Sequence, residues 1–116
     1  MTVAELRDDF YNILKKFEKP IFLQGSMSEH KKYPHTFITY FIPEYDHTYY
    51  GDNDCEIKTG ILEIAIYSED VTEIDRLSEE IKKEMKINGY NYVIGGDVAS
   101  DEKTHTGFMQ RFSKLI

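Results

Sequence analysis

"EIKTGILEIAIYSEDVTEIDRLSEEIKKEMKINGY" spans residues 56–90, and its reading decides the fold. In its first part Leu62, Ile64 and Ile66 alternate and share one face of a strand. Ile61, Glu63, Ala65 and Tyr67 make up the mixed opposite face. After Asp70 the apolar spacing becomes helical, with Val71, Ile74, Leu77, Ile81 and Met85 in one stripe. Asp70 is the expected N-cap and Glu73 its capping-box partner. Lys82, Lys83 and Lys86 fall at the end that the helix dipole makes favourable for cations, and Asn88-Gly89 supplies a stop. The stretch predicts a strand over 56–68 and a helix over 71–87.

Working outward, residues 2–17 read as a second amphipathic helix. Thr2 and Glu5 form a capping box, and Leu6, Phe10, Ile13, Leu14 and Phe17 form the stripe. Pro20 closes it. Residues 21–26 read as a brief strand before a Gly-Ser breaker, and 27–34 as a polar loop. Residues 35–42, "HTFITYFI", read as a strand with Phe37, Thr39 and Phe41 on one face and Ile38, Tyr40 and Ile42 on the other. Pro43 is expected to end it, leaving 44–55 as an acidic, tyrosine-rich connection. The last two strands are expected over 90–98 and 106–116. The order of long elements predicts an α+β domain over residues 1–116: a two-layer, four-stranded, mainly antiparallel sheet with two helices on one face. Phe10, Leu14, Leu62, Ile64, Ile74, Leu77 and Ile81 are the expected core. The other sheet face is left partly apolar, a first sign of oligomerisation.

The chain has 116 residues, suited to one domain with a radius of gyration of roughly 13 Å. Apolar residues make up 41%, which argues against disorder. No apolar run approaches the roughly 20 residues that span a bilayer, and the N-terminus reads as having no signal peptide. Cys55 is the only cysteine, which excludes an intrachain disulfide and a CxxC zinc site and fits a reducing compartment. The net charge of −7 disfavours direct contact with nucleic acid. Nine tyrosines suit half-buried surfaces, where the ring packs and the hydroxyl stays wet.

Few motifs carry chemistry. His30, His35, His47 and His105 form no HxxxH or HExxH pattern, so neither a metal nor another cofactor is expected. Residues 46–57 place Asp46 and Gly51 like an EF-hand loop, but Thr48, Tyr50 and Ile57 stand where oxygen ligands are needed. A polar hairpin turn accounts for them better. Cys55 lacks a setting that lowers a thiol pKa, and there is no GxSxG elbow or phosphate loop. "IGGD" (94–97) reads as a bulge or close approach, since no helix follows to hold an anion.

"DVASDEKTHTGFMQRF" (97–112) is the distinctive stretch. If Gly96 ends one strand and Thr106 begins the next, about nine residues connect them, long for a hairpin. Asp101, Glu102, Lys103 and His105 could do acid–base work, but a solvated loop fits better without an evident pocket. Together with "KPIFLQGS" (19–26), "YPHTFITYF" (33–41), "YYGDND" (49–54), "IAIYSED" (64–70) and "INGY" (87–90), this stretch resembles the tail-completion, or tail-terminator, proteins of long-tailed phages and prophages, also called head–tail joining proteins. Such proteins often carry an A-S-D-E-x-T-H-T-G loop before the final strand. Phe108-Met109 depart from the small or basic residue common after the Thr-Gly.

The resemblance implies a hexameric ring on the tail tube that ends tube polymerisation and offers the surface joining tail to head. It implies copies of the chain, the tail-tube protein and a head-completion or connector protein as partners. It implies the virion tail as location, reached from the host cytoplasm during assembly. Tyr49, Tyr50, Asp101, Glu102 and His105 are the expected assembly contacts, with no catalytic residue. Two other readings stand beside it: a protein-binding adaptor of a mobile element, and a small hydrolase using Asp101 and His105.

Overall fold

The computed structural model describes residues 2–23, 33–50 and 56–115, with backbone alone at 46–50, 56 and 57. Helix α1 (Val3–Leu14) begins with the expected capping box: Glu5 N donates to Thr2 Oγ1 and Thr2 N to Glu5 Oε1, both at 3.1 Å. A 3-10 turn over Lys15–Phe17 follows, and Glu18 adopts a left-handed conformation (φ 56°) that turns the chain into Pro20. Strands β1 (Ile21–Leu23), β2 (Thr36–Tyr50) and β3 (Glu56–Ser68) precede helix α2 (Val71–Ile87); β4 (Asn91–Val98) and β5 (Thr106–Leu115) complete the chain. Asp70 caps α2 by accepting from Thr72 N. Gly89, with φ +88°, ends it in the backbone geometry glycine favours: Gly89 N donates to the Lys86 carbonyl and Tyr90 N to that of Met85.

The fold is α+β, with two helices and one five-stranded mixed sheet in the order β1-β2-β3-β5-β4. The four-stranded expectation is corrected by β1, which runs parallel to β2 with Ile21, Phe22 and Leu23 opposite Ile38, Thr39 and Tyr40. The second correction concerns Pro43. β2 does not stop there but continues to Tyr50, paired with β3 down to Glu56. β1 pairs with β2 as far as Tyr40, and beyond it no described strand pairs with that side of β2, where a residue without N–H is tolerated. Register shifts between Phe41 and Glu44 and between Glu44 and His47 absorb the misfit. Residues 44–50 of the supposed connection are thus strand, while 51–55 with Cys55, and 24–32 with His30 and most of the loop expected over 27–34, lie outside the described residues. β4 ends at Val98, as expected for the strand over 90–98, so the loop before β5 starts after Val98 rather than after Gly96.

One face of the sheet carries the core. Leu6, Phe10, Ile13 and Leu14 of α1 and Ile74, Leu77, Ile81 and Met85 of α2 bury against Ile38, Leu62, Ile64, Ile66 and Phe112. All seven expected core residues are buried. β3 pairs with β5 only as far as Thr59, opposite Leu115, so the last part of the β2–β3 hairpin extends as an arm. The radius of gyration, 15.1 Å, accordingly exceeds the value for a compact chain of this length.

Candidate functional site

The distinctive loop sits at the end of the sheet where β2 and β5 begin and β3 ends. Residues 99–105 organise themselves first. Ser100 Oγ accepts from Glu102 N and donates to the Glu102 carbonyl, and His105 N donates to that same carbonyl at 3.1 Å. His105 then ties the loop to the segment before β2. Its Nε2 lies 2.7 Å from the Pro34 carbonyl, which can only accept, so Nε2 carries the proton. In the neutral ring Nδ1 is left to accept from Thr104 Oγ1 at 2.9 Å. With 7% exposure, His105 is a fastening inside its own chain.

Beneath the loop lies an aromatic shelf on the sheet face opposite the helices. Phe37 is the centre: Tyr67 stacks on it at 5.0 Å, Tyr33 stacks at 5.6 Å, and the His105 ring tilts against it at 5.8 Å. Gly107 makes room for Tyr67, because a Cβ there would fall 2.8 Å from both the Tyr67 ring and the Val98 carbonyl. Burial, with the nearby carboxylates of Asp101 and Glu63, pushes the Tyr67 phenol upward. The hydroxyl stays protonated at neutral pH and can serve as donor or acceptor. Further along this face Glu63 and Arg111, opposite each other on β3 and β5, pair at 2.6 Å.

A second set of polar groups meets at the same end. Asp70 N donates to Ser68 Oγ, Ser68 Oγ lies 2.8 Å from Thr36 Oγ1, and Thr36 Oγ1 donates to Glu73 Oε2 at 3.0 Å. With the Thr36 proton on the carboxylate, Ser68 must donate to Thr36, so the chain has one direction. Lys19 Nζ closes it 2.8 Å from Glu73 Oε1. His35, mostly exposed, lies 2.8 Å from Glu69 and 3.6 Å from Glu73, beside an open hollow lined by Tyr33, Pro34, His35 and Glu69. Ser68 is fully buried, and its hydroxyl proton is committed to the chain. The arrangement fastens β2, β3 and α2 together and presents no accessible nucleophile there.

The predicted contacts thus fall in three places. Asp101 is exposed and Glu102 half-buried at the rim of the shelf. His105 lies beneath them, and no hydrogen bond or ion pair joins it to Asp101 among the described residues. Tyr49 and Tyr50 belong to the arm by their backbone pairing with Ile57 and Glu56; their side chains lie outside the described residues. Among the described residues no three His, Cys, Asp or Glu side chains converge as metal ligands. Sequence reasoning missed the shelf and the Ser68–Thr36–Glu73–Lys19 chain. The signal for the shelf was a strand apolar on both faces; nothing in local spacing joins Lys19 to Glu73. The chain matches no family model and no curated protein.

Proposed function

We propose that this chain is a structural protein of a phage or prophage tail. It caps the tail tube as a hexameric ring, ends polymerisation of the tube and presents the surface that meets the head. The observation that carries the reading is the ordered loop over 99–105, seated on an aromatic shelf that no described helix covers. That loop carries the sequence by which the chain resembles tail-completion proteins. A ring needs two different patches that meet on neighbouring copies. The loop-rimmed sheet face is one candidate patch, and the projecting β2–β3 arm is another. In this reading Asp101 and Glu102 touch a neighbour or the tube, His105 holds the loop in shape, and Tyr49 and Tyr50 lie on the arm. The head-completion or connector protein meets the opposite side of the ring. No cofactor and no chemical step are assigned.

The test is polymerisation of a tail-tube protein from the source of this chain, with and without the purified chain. Tubes of bounded length, each ending in a ring, are the expected result. Tubes that lengthen without limit in the presence of excess chain would overturn the proposal.

A further inference from the structure

β4 is the outer strand of the sheet: β5 pairs with one side of it, and no described strand pairs with the other. Open edges are commonly protected by charged side chains, proline, bulges or short length. β4 has eight residues with neither lysine nor proline; its one charge is Asp97, at the far end from Tyr92, Val93 and Ile94, which are 41%, 52% and 55% exposed. The register shift between Tyr92 and Ile94 leaves Val93 without a partner on β5. Alongside the strand, against the second half of α2, runs a cleft of about 270 Å³ lined by Lys82, Lys86, Tyr90, Asn91 and Tyr92. Its wall is well supported. Phe112 meets the Tyr92 ring edge-on at 5.7 Å, and the absence of a side chain at Gly95 makes room for the Tyr92 hydroxyl. Lys82 Nζ lies 4.3 Å from the centre of the Tyr92 ring.

Two lysines line this cleft. Lys16, Lys19, Arg76, Arg111 and Lys114 each pair with a carboxylate. Lys82 and Lys86, like Arg7, Lys15, Lys83 and Lys103, have no carboxylate partner among the described residues, and these two are the ones that line the cleft. An unpaired strand edge offers main-chain hydrogen bonds to an extended segment, and pockets beside it select the side chains. We propose that the β4 edge and its cleft bind an extended acidic segment of a partner protein by strand addition. The segment's main chain pairs with β4, its carboxylates reach Lys82 and Lys86, and its apolar side chains lie against Val93 and Ile94. The inference is independent of the tail reading, since it uses none of the loop or shelf residues.

The probe is an eight-residue peptide of alternating glutamate and valine, acetylated and amidated, titrated into the isotope-labelled chain and followed by amide NMR. Shifts confined to β4 and the adjoining part of α2 are expected. The K82E/K86E variant should lose affinity by about tenfold or more, with unchanged thermal melting. If that variant melts early, K82Q/K86Q takes its place and should show the same direction of change. A lysine–valine peptide should not bind, and a central proline in the acidic peptide should weaken it by about tenfold. Equal binding of the acidic and basic peptides would overturn the proposal. So would binding indifferent to proline, no β4 shifts at about 1 mM peptide, or sedimentation showing the edge already occupied by a second copy.

Discussion

Gly107 is the residue on which the loop and the shelf depend together. It is buried between the Tyr67 ring and the backbone of Val98, and a methyl group there meets a main-chain oxygen that cannot rotate away. Gly107→Ala should therefore destabilise the fold by about 1–3 kcal/mol, the usual cost of overpacking. Gly96→Ala, two strand positions before the loop, has open space and should change stability by no more than about 0.5 kcal/mol. Urea unfolding of the two variants checks both, and a reversed order would place the shelf wrongly. Glu73 offers a pH test. The hydrogen-bonded ammonium of Lys19 and the Thr36 hydroxyl outweigh burial and hold its carboxyl below the ordinary value of 4.5. The folded chain then takes up that proton less readily than the unfolded chain. The resulting stabilisation is complete above the unfolded value and is lost as pH falls through the lowered folded value. Urea midpoints followed from neutral pH to below 4.5 should drop more for the wild type than for Glu73→Gln. Parallel curves would show that the Lys19–Glu73–Thr36 contacts do not shift this carboxyl.

At the scale of elements, α2 is the piece whose packing can be tested most cleanly. Leu77 is 1% exposed in the core between α2 and the sheet. Leu77→Ala should cost about 2–5 kcal/mol by thermal or urea unfolding. A loss of less than about 0.5 kcal/mol would put the wrong face of the helix inward. This face was legible in the sequence because Ile74, Leu77, Ile81 and Met85 repeat at helical spacing, although Val71, expected in the same stripe, is exposed. Asp70 caps α2 as expected, but Glu73 does not close the expected capping box, because its carboxylate is taken by Lys19 and Thr36. The long-range features were not. Whether Ile21–Leu23 finds a strand to pair with depends on where Ile38–Tyr40 lies in space. Pro43 lies within a strand where no described strand pairs with its other side, and no local pattern records the length of a neighbour. His105 looked like a free loop histidine because the Pro34 carbonyl that fixes it is 71 positions away in the chain.

The whole molecule carries a helix-covered core, a sheet face rimmed by the loop over 99–105, and an arm that makes the domain elongated, 52 × 27 × 24 Å. The helices bury the core, and in the proposed function the sheet face that no described helix covers and the arm are the surfaces that meet partners. The central claim is that the loop rim is an assembly surface rather than a solvated connection. Asp101 is exposed, and the fastening of the loop runs through Ser100, the Glu102 backbone and His105. Reversing both rim charges, D101K/E102K, should therefore spare the fold while removing the contact. The deciding measurement is the length distribution of tails assembled with this variant, read by electron microscopy, beside a thermal melt matching wild type. Overlong tails, or tails that fail to join heads, are expected; tails of normal length that join heads at wild-type yield would overturn the assembly role of the rim.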